Sequence, residues 1–155
     1  MKYFVGIDCS SKGIHSVVLD NEGNISLWFV CKSSKKTADE RLYDLNDQFK
    51  KIVNYFDKNY TVAIEKAIYR QNAISTISIA QVITSVKLAL DVKGIVHGVV
   101  DNKTWKKISV GKGNCTKDEI KAYAIGRWQM AENLDQDLYD SACIAEYIYL
   151  KGKEE

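Results

Sequence analysis

The chain has 155 residues, 46% hydrophobic and 27% charged, close to the averages of soluble globular domains and unlike those of a disordered or membrane-embedded chain. One core suffices at this length, with about 70% of the extended chain's surface buried on folding, so a single domain over 1–155 is expected. The 22 basic and 20 acidic residues leave a net charge of +2, which excludes a uniformly basic nucleic-acid coat and confines any phosphate contact to a local patch.

The amino end, MKYFVGIDCSS, reaches an aspartate after too few apolar positions for a signal peptide or membrane span, so a cytoplasmic protein is expected. Residues 3–9, 14–20 and 25–31 are short apolar runs separated by SSKG and NEGN, both turn sequences, and predict an antiparallel meander. From Ala38 the period changes: Leu42, Leu45, Phe49, Ile52, Val53 and Phe56 recur at helical spacing behind a capping box of Thr37 and Glu40. Residues 59–65 return to a strand pattern, and 72–92 are long enough for a helix that stops at Lys93 and Gly94, despite their β-branched content. A fifth strand over 95–100 and a short helix over 102–108 follow. GKGNC, residues 111–115, is a glycine loop; Thr116 and Glu119 repeat the capping box before Ile120, Tyr123, Ala124, Arg127 and Trp128. After the polar ENLDQ a last helix is expected over 137–150. Proline, internal repeats and low-complexity tracts are lacking, and Cys9, Cys31, Cys115 and Cys143 have no CxxC spacing, which reads as reduced, packed thiols. Two histidines, His15 and His97, are too few for a conventional zinc cluster. The order of elements implies an α/β fold: a five-stranded mixed sheet, an antiparallel meander plus parallel strands, flanked by helices.

Four carboxylates stand out against this frame. Asp8 ends the first strand and Glu65 the fourth, where a charged side chain is costly unless paired or bound to a cation. Asp137 and Asp140, three apart at a helix start, share one face. Such an oxygen-only set suits Mg²⁺ or Mn²⁺. Each member also has a plain reading: Asp8 as a turn residue, Glu65 as a partner of Lys66 or Arg70, Asp137 as an N-cap, and Asp140 as an acid near the positive helix end.

In their order, FVGIDCSSKGIHSVVLD, VAIEKAIYRQNA, WKKISVGKGNCTKDEI and DLYDSACIA resemble the motifs of the RuvC-like Holliday junction resolvases, members of the RNase H-like superfamily. The resemblance covers most of the chain and implies an RNase H-like fold and a crossover junction endodeoxyribonuclease. It implies Asp8, Glu65, Asp137 and Asp140 as metal-binding acids and Lys106 and Lys117 as lysines of DNA phosphate contact and catalysis, with Lys107 able to replace Lys106 if the register slips. Bacterial members place a base-stacking aromatic where this chain has Ile68; Tyr69 is adjacent. The length and departures fit a phage-type member better than a bacterial housekeeping one.

The mechanism so implied is phosphodiester hydrolysis with two Mg²⁺ ions per site, Mn²⁺ substituting, giving 5′-phosphate and 3′-hydroxyl ends. Lys66, Arg70, Lys106, Lys107, Lys112 and Lys117 follow the acids in sequence order and are candidates for phosphate neutralisation, or else ordinary solvated surface. Tyr69 and Trp105 are stacking platforms or core residues. Branched DNA, four-way junctions above all, is the expected partner, bound by a homodimer formed on the helix over 72–92, with no membrane. Two other readings stay open here: an RNase H-like nuclease for flaps, forks or RNA–DNA hybrids, and an actin-like or sugar-kinase-like ATPase lobe sharing the opening hairpin.

Overall fold

The computed structural model describes residues 1–69 and 71–154. Strands β1 (Tyr3–Cys9), β2 (Gly13–Leu19) and β3 (Ile25–Lys32) form the antiparallel meander, and β4 (Tyr60–Glu65) and β5 (Val96–Val100) extend it in parallel beyond β1, in the order β3-β2-β1-β4-β5. Between and after them lie α1 (Ala38–Val53), α2 (Ala73–Val92), α3 (Asn102–Trp105), α4 (Lys117–Trp128) and α5 (Gln136–Glu154). The expected mixed sheet flanked by helices is present.

Strand alternation sends side chains to two cores. On one face Val5, Ile7, Ile14 and Ile64 pack against Leu45 and Phe49 of α1 and Val82, Val86 and Leu90 of α2. On the other, Phe4, Val17, Leu19 and Ala63 meet Leu138, Ala142 and Ala145 of α5, with Ile120 and Ala124 of α4 behind them. The inner strands β1, β2 and β4 are therefore buried on two sides, under helices on both faces.

Strand β1 and helix α5 approach closely at Gly6. A Cβ added at Gly6 would stand 2.1 Å from the Ser141 carbonyl oxygen and 2.2 Å from the Ala145 amide nitrogen. Backbone fills the space a side chain would take, so only glycine lets α5 lie this low on the sheet. That depth brings the first turn of α5 to the end of β1.

Strands and α2 fall within one residue of the expected bounds, and three other boundaries differ from the sequence pattern. Helix α1 ends at Val53, with Asn54 as C-cap, so Phe56 is not helical; it is buried because its ring stacks on Tyr60 at 4.8 Å. The short helix expected over 102–108 is α3 followed by a π-helical turn, Lys106–Val110, ended by Gly111 at φ 113°. Helix α5 starts one residue earlier than expected and runs on to Glu154, its end covered by Lys153 over the Tyr149 ring at 4.5 Å. All four cysteines are free, and Cys31, Cys115 and Cys143 are buried.

Helix α2 is the most apolar of the long helices, and by length and hydropathy alone it would suffice to cross a bilayer. Ser78, Val82, Ile83, Val86, Ala89 and Leu90 are instead buried within the protein, while Ile74, Ile77, Leu88 and Val92 are exposed.

Candidate active site

Asp8 and Glu65 each follow a register pair, Ile7 with Ile64, that locks β1 to β4, so two adjacent strands end in carboxylates at one edge of the sheet. The first two turns of α5, seated by Gly6, carry Asp137 and Asp140 to the same edge. One oxygen from each of Asp8, Asp137 and Asp140 lies within 4.8 Å of the others. Glu65 is steadied from outside: Asn102 Nδ2 donates to its Oε2 at 3.2 Å, and the Trp105 indole N–H donates to the same oxygen. Gln136 Nε2 donates to Asp140 Oδ1 at 3.0 Å.

Crowding of like charge shows in the acidities. Burial first, then the charges of Glu65, Asp137 and Asp140, push the Asp8 carboxyl well above its usual range. Burial also pushes Asp140 up to about 6, with Glu65 and Asp137 adding to the shift and Lys106 opposing it. Anionic oxygens held together against their own repulsion are a fit for a hard divalent cation, which supplies the missing positive charge and favours carboxylate oxygens.

The candidate phosphate contacts are spread unevenly. Lys106 is half-buried, its ammonium 5.7 Å from the Trp105 ring centroid, and its charge is felt at Asp140. Lys107 and Lys117 are exposed, and among the described residues no ion pair joins either to a carboxylate of the cluster. Lys112 Nζ is bonded to Glu119 Oε1 at 2.7 Å, a pair internal to the loop and α4. Lys66 follows β4 with an exposed side chain, its backbone N–H donating to the Val100 carbonyl at 2.8 Å. Tyr69 is 79% exposed and Ile68 48%, whereas Trp105 is fully buried and serves the core and Glu65. Arg70 lies outside the described residues.

His15, set aside in the sequence, stands in the site. It is the register partner of Asp8 and is buried; Nε2 lies 3.3 Å from Asp135 Oδ2 and Nδ1 3.6 Å from Asp137 Oδ2. Lys32 Nζ holds the same Asp135 oxygen at 2.6 Å. The hairpin turn carried the signal: strands closing on SSKG must put residue 15 opposite residue 8. A polar groove of 570 Å³, lined by Ser10, Lys12, His15, Lys32, Asp135 and Asp137 among others, opens beside this pair.

Known proteins agree with this arrangement at the level of fold. Thermus thermophilus RuvC in complex with Holliday junction substrate superposes with a TM-score of 0.85 at 17% identity, covering 99% of this chain and 96% of that one. A second T. thermophilus RuvC structure gives 0.81 at 19% identity, covering 98% and 96%. The yeast mitochondrial Holliday junction resolvase gives 0.53 at 15% identity, covering 96% and 81%. No curated protein matches the sequence. Residues 4–145 match the family model of the crossover junction endodeoxyribonuclease RuvC, a span that runs from β1 through the first half of α5 and takes in all four carboxylates; the chain belongs to the RuvC family of crossover junction endodeoxyribonucleases.

Proposed function

We propose that this chain resolves four-way DNA junctions by metal-dependent phosphodiester hydrolysis, leaving 5′-phosphate and 3′-hydroxyl ends, in the cytoplasm of a bacterial or phage-infected cell. The observation that carries the reading is the meeting of Asp8, Asp137 and Asp140, with Glu65 beside them, at the end of two parallel strands. Family membership and the likeness to a RuvC bound to Holliday junction substrate support it.

In this reading Asp8, Glu65, Asp137 and Asp140 would hold two Mg²⁺ ions, with Mn²⁺ able to substitute. Bound there, the ions supply an activated water and offset charge on the leaving 3′ oxygen. Asn102 and Trp105 fix the Glu65 carboxylate, so its orientation is set before substrate arrives. Lys106, next to Asp140, neutralises the phosphate at the site, and Lys117 acts with it. Lys66, Arg70, Lys107 and Lys112 are the further candidates for phosphate contact, and Tyr69, exposed on the loop after β4, stacks on an unpaired base. Symmetric cutting calls for two sites, hence a homodimer.

Asp8→Asn tests the reading. It is expected to abolish cleavage while leaving junction binding within about threefold, since base and phosphate contacts lie elsewhere. A panel of labelled junctions, flaps, forks and RNA–DNA hybrids with Mg²⁺ separates the substrates: paired symmetric nicks in the junction are expected, and full activity of Asp8→Asn overturns the site.

A further inference from the structure

The two ring nitrogens of His15 face different surroundings. Because Asp8 and His15 are register partners, their side chains leave the sheet on one face with Cβ atoms about 5 Å apart. The ring is 4% exposed. Its Nε2 is 3.3 Å from Asp135 Oδ2, an oxygen already fixed by Lys32 at 2.6 Å. An ionised carboxylate accepts and never donates, so the ring hydrogen belongs on Nε2 and the Nδ1 lone pair is left bare. That Nδ1 is buried with no hydrogen-bond partner, and 3.6 Å from it stands Asp137 Oδ2, another acceptor.

Two acceptors that face each other across this gap need a positive centre between them. A hydrogen bond does not span 3.6 Å. Two donors bound to one ion at about 2.1 Å each stand about 3.0–3.4 Å apart, within a few tenths of an ångström of the observed spacing. The carboxylate of Asp137 also has an oxygen within 4.8 Å of those of Asp8 and Asp140, and the 570 Å³ polar groove on the His15 side gives water a way to complete a coordination sphere.

We propose, resting on the metal-dependent reading above, that His15 is a nitrogen ligand of the metal centre, giving its Nδ1 lone pair to an ion shared with Asp137. Asp135 and Lys32 set the tautomer, the carboxylate–histidine–metal relay in which an outer carboxylate orients an imidazole. An imidazole in the set shifts preference from Mg²⁺ and Ca²⁺ towards transition-metal ions.

Pulsed electron paramagnetic resonance of the full chain loaded with Mn²⁺ alone reads this directly. Nitrogen coupling to Mn²⁺ is expected, changing to the ¹⁵N pattern when histidine is isotopically labelled. It is expected to vanish in His15→Phe and to persist in His97→Gln, the other histidine, whose Nε2 is engaged by Asp91 at 2.7 Å. His15→Phe is also expected to weaken Mn²⁺ binding by about 10–100-fold. Mn²⁺ bound without nitrogen coupling in the labelled native chain overturns the proposal and leaves the metal reading standing; that is the outcome if His15 is instead an imidazolium between two aspartates. Failure to bind Mn²⁺ at all overturns both. The isotope measurement needs no variant, so it decides even where His15→Phe does not fold.

Discussion

Asp8 is held among Glu65, Asp137 and Asp140 with its carboxyl pushed up by burial and by their charges, so above the ordinary aspartate range the metal-free fold bears a cost at this group. An acid whose folded pKa is raised costs stability once the pH exceeds its unfolded value, and neutralising it returns that cost. Asp8→Asn should therefore raise the melting temperature of the metal-free protein by about 2–4 °C for each kcal/mol regained, while losing most of the further rise that Mg²⁺ gives the native chain. Calorimetry with chelator and with Mg²⁺ checks both signs, and a lower metal-free melting temperature contradicts the account. Trp105 makes the opposite case, a core residue with a polar duty. Trp105→Phe keeps the ring in its buried place but removes the N–H that Glu65 accepts. A loss of about 1–3 kcal/mol in urea unfolding is expected, with single-turnover cleavage slowed by about 10–100-fold because Glu65 then has Asn102 as its remaining donor of this pair.

Elements here are fixed in space by a few backbone requirements. At Gly6 an added Cβ meets the backbone of α5 rather than the tip of a flexible side chain, so Gly6→Ala must lift the helix that bears Asp137 and Asp140. A loss of about 3 kcal/mol or more is expected, together with loss of Mg²⁺ binding; a variant of native stability with an intact site contradicts the packing. Helix α4 ends on Gln129 at φ 53°, a left-handed conformation that costs a side chain about 1 kcal/mol. Gln129→Gly should raise stability by about 0.5–1 kcal/mol in chemical denaturation and leave cleavage unchanged. Much at this scale was legible beforehand. Both capping boxes, Thr37 with Glu40 and Thr116 with Glu119, are formed where their spacing put them, and strand alternation located the ends that bear Asp8 and Glu65. The π-helical turn at Lys106–Val110 has no local signature, and Phe56 is buried by rings that arrive from other elements. The hold of Trp105 on Glu65 spans 40 positions of sequence, and the place of His15 beside Asp8 depends on hairpin register, which hydrophobic pattern alone does not report.

At the scale of the molecule, the inner strands β1, β2 and β4 are covered but α2 is not. Its sequence carries Lys87 and Asp91 as its charged residues, and Ile74, Ile77, Leu88 and Val92 are between 58% and 86% exposed. Leu42 and Tyr43 of α1 continue this apolar surface into a groove of about 660 Å³ that also touches Leu88 and Val92. Exposed side chains of this kind on a helix whose other side is core mark a contact surface. A stable dimer buries about 1,200–2,000 Å² in total, and in the proposed homodimer a second copy would engage the groove together with α2. The double variant Ile77→Lys, Leu88→Glu places charge on that surface without touching the buried Val82, Val86 or Leu90. It should sediment as a monomer with a native melting curve and native Mn²⁺ affinity, since the carboxylates belong to one chain. On a four-way junction it should give unpaired nicks where the native chain gives paired ones, because a monomer brings one site to a substrate with two strands to cut. A native chain that sediments as a monomer at working concentration while still producing paired nicks contradicts the dimer.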